Sequence, residues 1–147
     1  MKSKMTISEL HASTIVKIKV TFGFSGFACS PDEISELLKI QPDHSGAKGA
    51  KQKRENGREV IVPESTWSIY SRSSSKDVND HFNEIFDRVI PVMPSIQTGW
   101  GVPGFGVLWK NNNLYTGNGP YYNSSVLEQV ASLRGEIWHD IYQVDED

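Results

Sequence analysis

The stretch "KDVNDHFNEIFDRVI", residues 76–90, constrains the fold more than any other. Val78, Phe82, Ile85, Phe86 and Val89 recur at helical spacing, and Pro91 and Pro94 stop the pattern. A helix with so wide an apolar stripe needs a second layer to bury it against. The candidate for that layer stands earlier, in "TIVKIKVTF". There Val16, Ile18, Val20 and Phe22 alternate with Lys17, Lys19 and Thr21, the period of a half-buried strand.

The other elements follow from local signals. "GFSGFAC" reads as a glycine-punctuated turn, and "SPDEISELLKI" as a helix. Its start is marked by Ser30 as N-cap, Pro31 at the first position and Glu33 completing a capping box. Ile34, Leu37 and Leu38 form its expected apolar stripe, and Pro42 closes it. "EVIVPESTWSIYS" reads as a strand region interrupted by Pro63, at an edge or a bulge. "SRSSSK" is expected to supply a serine N-cap for the central helix. "FGVLWK" reads as a further strand, and a helix opens at Ser125 with Glu128 in a second capping box. Gly135 is expected as its left-handed terminator, and "EIWHDIYQV" as the last strand. The order is β-α-β, then α, then β-α-β. This predicts an α+β fold: a single-layer sheet of about four strands with three helices mainly on one face.

At 147 residues the chain fits one domain, expected over 14–147 after a flexible segment 1–13. Four Trp and 10% aromatics supply a core. The net charge of −3 argues against a nucleic-acid-binding protein, which is usually basic. A lone cysteine, Cys29, excludes an internal disulfide. No apolar run is long enough to span a bilayer, and "MKSKMTISELHAST" lacks the core of a secretory signal. A soluble cytoplasmic protein without membrane contact is the expectation.

Pro31-Asp32-Glu33-Ile34 with Pro42, then Trp67, then Asp140-Ile141-Tyr142, occur in an order that resembles a bacterial domain-of-unknown-function family, numbered four-two-seven-nine. The resemblance runs from about Val16 to Val144. It implies a small α+β domain, and it transfers no catalytic residue and no cofactor.

Five stretches invite chemistry. "HSGAKGAKQKRENGR", residues 44–58, sets five cations against one carboxylate. A phosphate-binding P-loop needs different glycine spacing, a Ser/Thr after its lysine, and a strand before it with a helix after. This segment reverses that context. Lys48, Lys51, Lys53, Arg54 and Arg58 could serve a phosphate, a nucleic acid or an acidic partner, but no aromatic residue interleaves them for base stacking. A solvated connector over 46–58 is the plain reading. Asp77, His81 and Glu84 share a helix face, yet no second histidine stands at ligand spacing, so no metal is expected. His139 and Asp140 are strand neighbours and point to opposite faces, which excludes a hydrogen-bonded pair. Asp140, beside Trp138 and Tyr142, could be buried with a raised pKa, or could simply organise the core edge. Cys29 precedes a helix start, where a thiol pKa can fall, or is a small buried residue.

The fifth stretch, "TGWGVPGFGVLWKNNNLYTGNGPYY", is dense in aromatics. Trp100, Phe105, Tyr115, Tyr121 and Tyr122 are its candidates for a partner-binding surface, although Phe105, Val107 and Trp109 also fit a core-facing strand. The functional expectation is a non-catalytic protein-binding domain, such as a toxin-neutralising immunity protein. The rival is an enzyme or small-molecule binder, with Asp140 and His139 or His44 around a cleft.

Overall fold

A computed structural model of the chain describes residues 15–96, 104–112 and 120–144. The chain begins with β1 (Ile15–Ser25), followed by α1 (Pro31–Leu38). Three short strands come next: β2 (His44–Gly46), β3 (Lys51–Lys53) and β4 (Glu59–Ile61). Then follow β5 (Thr66–Tyr70), α2 (Val78–Val89), a 3-10 helix (Ile90–Ile96) and β6 (Gly104–Asn112). The described elements end with α3 (Ser124–Ser132) and β7 (Glu136–Val144). The main sheet has five strands in the order β2-β5-β1-β6-β7, and β3 with β4 forms a separate two-stranded ribbon.

The α+β class is as expected, but the strand count is not. β2, β3 and β4 have three residues each, too few to establish a period of two in the sequence. The expected 59–71 strand region is two strands. Pro63 separates β4 in the ribbon from β5 in the main sheet. The two outer β-α-β units also differ in kind. β1 pairs with β5 antiparallel, whereas β6 and β7, joined through α3, run parallel. β1 does not stop before "GFS" either. It continues through Gly23, where a Cβ would stand 2.5 Å from the Trp67 carbonyl oxygen.

The core lies between the sheet and the three helices. Ile18, Val20, Phe22 and Phe24 of β1, Trp67 and Ile69 of β5, and Phe105 and Val107 of β6 are buried. Val78, Phe82, Ile85, Phe86 and Val89 of α2 meet them, as the stripe predicts, and Val126 and Val130 of α3 join the same cluster. α1 contributes Ile34 and Leu38, but Leu37 is 48% exposed. The buried face of α1 is centred on Pro31, Ile34, Ser35 and Leu38, spaced i, i+3, i+4 and i+7, and Leu37 falls on its flank. Ser35 holds the inner position because its hydroxyl has partners. It donates to the Pro31 carbonyl at 3.3 Å and accepts from Trp67 Nε1 at 3.0 Å.

The helix ends show which local signals act. Ser30 caps α1, its Oγ accepting from the Glu33 N–H. Asp77, rather than a serine of 71–75, caps α2. Asn123, rather than Ser125, caps α3, accepting from the Val126 N–H at 2.9 Å. Arg134, at φ 56°, is the left-handed residue after α3, one position before the expected Gly135. The Gly135 N–H still closes the helix by donating to the Val130 carbonyl. Pro91 and Pro94 do end α2, by turning the chain into the 3-10 helix. Among the described residues, no helix is long and apolar enough to cross a membrane.

Candidate binding surface

Among the described residues, the sheet has one face covered by helices and one open face. The described helices all pack on the face that carries Phe22 and Phe105. The strand register builds the other face in rows. His44, Ser68, Gly23, Gly104 and Glu136 are successive cross-strand partners. Tyr70, Thr21, Gly106 and Trp138 form the next row, and Lys19 and Asp140 lie in a third.

Trp138 dominates this face. It is 55% exposed, yet its indole has a fixed seat. A Cβ at Gly104 would overlap Trp138 Cζ3, and one at Gly106 would stand 2.9 Å from Nε1. The ring therefore lies on bare β6 backbone, which only glycine at both positions permits. Across the face, Tyr70 is half-buried beneath Lys19, whose Nζ sits 4.3 Å from the ring centroid. Thr21 and Gly23 of β1, with Ser68 beside Tyr70 on β5, floor a trough between these two aromatic walls.

The expected partner-binding residues scatter. Trp100 and Tyr115 lie outside the described residues. Phe105 is fully buried, its ring within 5.0–5.8 Å of Phe22, Phe82 and Phe86, so it belongs to the core and not to a surface. Tyr121 is 66% exposed on a segment pinned from below. Buried Asn79 donates to the Tyr121 carbonyl at 3.0 Å and accepts from the Asn123 N–H at 2.9 Å. Tyr122 is half-buried. Its ring packs edge-on against Phe82 at 5.5 Å, and its hydroxyl is hydrogen-bonded to His139 Nε2 at 2.5 Å. Burial pushes the Tyr122 phenol well above its ordinary pKa, so it keeps its proton.

The rival catalytic groupings do not assemble. His139 faces the helices, whereas Asp140 is exposed on the open face, contrary to burial beside the aromatics. His44 shares the open face with Asp140 but stands on the opposite edge strand, four strand spacings or about 19 Å across the sheet and two rows further along it. Asp77, His81 and Glu84 have separate duties. Asp77 caps α2 and Glu84 accepts the Arg72 N–H. His81 is buried with both ring nitrogens engaged, Nε2 at 2.7 Å from the Ser75 carbonyl oxygen and Nδ1 at 2.6 Å from Ser71 Oγ. Nε2 donates to that carbonyl, and Nδ1 shares a hydrogen bond with the Ser71 hydroxyl. Ser71 Oγ in turn accepts the Val20 N–H at 2.9 Å, so the Ser-His pair extends the β1–β5 ladder. Half-buried Cys29 has its thiol pushed up, first by burial and then by the Glu33 carboxylate, which overrides any lowering by the helix start.

The five loop cations are exposed, as a solvated segment predicts, but the segment is ordered: Lys51 and Lys53 belong to β3, and Arg54 and Arg58 flank the ribbon's turn. Sequence reasoning missed Trp138 as a surface residue by grouping it with Asp140 as core. The available signal was Gly104-Phe105-Gly106, two glycines two apart in a strand, which marks a close approach on one face. The family model described as Domain of unknown function (DUF4279) matches residues 16–144. No curated protein and no solved structure matches the chain.

Proposed function

Since the chain belongs to the DUF4279 family across nearly its whole length, a family without assigned chemistry, we propose that it works by binding another protein and not by catalysis. One observation carries this reading: the Trp138 indole, seated on Gly104 and Gly106, stays more than half exposed. An aromatic side chain that loses little freedom on binding is the usual energetic centre of an interface. The trough beside it has Tyr70 and Lys19 opposite, an aromatic and a cation that a protein partner can cover together with the indole. The finer form of the proposal is an immunity protein that neutralises a toxin in a bacterial cytoplasm.

The test is capture of partners from the native host by the wild-type chain, by Trp138→Ala and by Gly104→Ala. The reading requires a reproducible protein that binds wild type and is weakened at least tenfold by both substitutions, with thermal midpoints little changed. The absence of any reproducible protein partner would sink it. Protection of cells co-expressing the captured protein would support the immunity form.

A further inference from the structure

The ribbon is a second surface, and its features stand apart from the trough. β3 and β4 pair antiparallel, with Lys51 opposite Ile61, Gln52 opposite Val60, and Lys53 opposite Glu59. Alternation puts Gln52 and Val60 on the half-buried side. Gln52 Nε2 donates to the Ser45 carbonyl at 3.2 Å. The root is tied by the Val62 N–H to Ala50 O at 2.8 Å, by Gly49 N–H to Val62 O at 2.9 Å, and by Lys48 N–H to Ser65 Oγ at 3.0 Å. The tip closes through Arg54 N–H to Arg58 O at 2.8 Å and Gly57 N–H to Arg54 O at 2.9 Å, with Gly57 at φ 81°. The five cations are thus displayed on an ordered arm, not on a loose connector.

The outward side of this arm carries Lys51, Lys53, Glu59 and Ile61, all exposed, with Arg54 and Arg58 at the tip and Lys48 at the root. Ile61 is 66% exposed and stands directly across the ribbon from Lys51. Among the described residues no ion pair engages any of the five cations. The distribution of charge over the chain is lopsided. Residues 44–58 hold five cations and one acid, which leaves ten Lys+Arg against seventeen Asp+Glu elsewhere.

We propose that this arm docks a short acidic protein segment bearing aliphatic side chains, its carboxylates meeting Lys51, Lys53, Arg54 and Arg58 and its apolar group covering Ile61. Charge complementarity sets the sign of the partner. Exposed Ile61 sets its mixed character, because a bare polyanion would leave that side chain wet. Reach favours protein over nucleic acid. Three strand residues span about 10 Å, close to the screening length of roughly 8 Å at physiological ionic strength. A polynucleotide longer than the arm would run onto an acidic body, and the arm offers no aromatic ring for stacking.

The experiment uses the full chain and three labelled probes read by fluorescence anisotropy: a peptide of Glu-Glu-Leu repeats, one of Glu-Glu-Ser repeats, and a thymidine oligonucleotide of equal charge. The Leu peptide is expected to bind at least fivefold tighter than either other probe. K51E/K53E should weaken it at least tenfold, and the milder K51Q/K53Q at least threefold, which guards against a folding artefact. Ile61→Ser should weaken the Leu peptide about fivefold and leave the Ser peptide unchanged. Trp138→Ala should change nothing, which separates this proposal from the trough reading. Tightest binding of the oligonucleotide, equal affinity for the two peptides, or indifference to the lysine substitutions would each overturn it.

Discussion

Tyr122 shows how one residue can be read at two levels. Its position in an aromatic cluster was visible in the sequence, but its depth against Phe82 and its bond to His139 depend on β7 lying beside β6. The burial that raises its phenol pKa has a thermodynamic consequence. The folded chain holds that proton more tightly than the unfolded chain does. Its contribution is therefore fully present below the unfolded value, near pH 10, and is lost as pH rises above it. Tyr122→Phe should flatten the alkaline decline of the urea midpoint above about pH 10, while costing about 1 kcal/mol at neutral pH through the lost hydrogen bond. Two other buried polar residues were not legible in the sequence. Ser35 sits inside because Trp67, thirty-two positions away, donates to it, and His81 because Ser71 and Ser75 bracket its ring. A helical period identifies apolar residues that seek burial, but carries no record of which polar side chain meets its partner across the core.

At the scale of elements, type was far more legible than termini. All three helices and the long strands lie where periodicity puts them, since the pattern is repeated over several turns or pleats. Each helix end, by contrast, rests on a single side chain, and several candidates compete. Asp77 follows three serines and caps α2, and Asn123 wins over Ser125 at α3. Arg134 rather than Gly135 carries the left-handed turn. A side chain in that conformation is strained, so Arg134→Gly should raise stability by about 0.5–1 kcal/mol, read as an upward shift in the thermal midpoint. The short strands of the ribbon were missed for the opposite reason. Three residues give no period, and their pairing is fixed by the Gly57 turn and by bonds to Ser45 and Ser65.

In the whole molecule, the two faces of the sheet divide the work. One carries the core, in which Phe105 stands among Phe22, Phe82 and Phe86. Phe105→Ala should lower stability by about 3–5 kcal/mol in urea unfolding, a loss that a surface-binding residue would not produce. The open face, with Trp138, was hard to read in advance because it arises from strand register, whereas the basic arm was visible as a contiguous run of cations and only its two short strands were not. The strand order also dictates a sequence of events during synthesis. β1 leaves the ribosome first among the described strands, yet it occupies the middle of the sheet, and its partners β5 and β6 begin about fifty and ninety residues after its start. The edge of β1 that β6 will take has no partner until the residues beyond Gly104 have emerged, so the nascent chain carries an unmated strand edge for most of its translation.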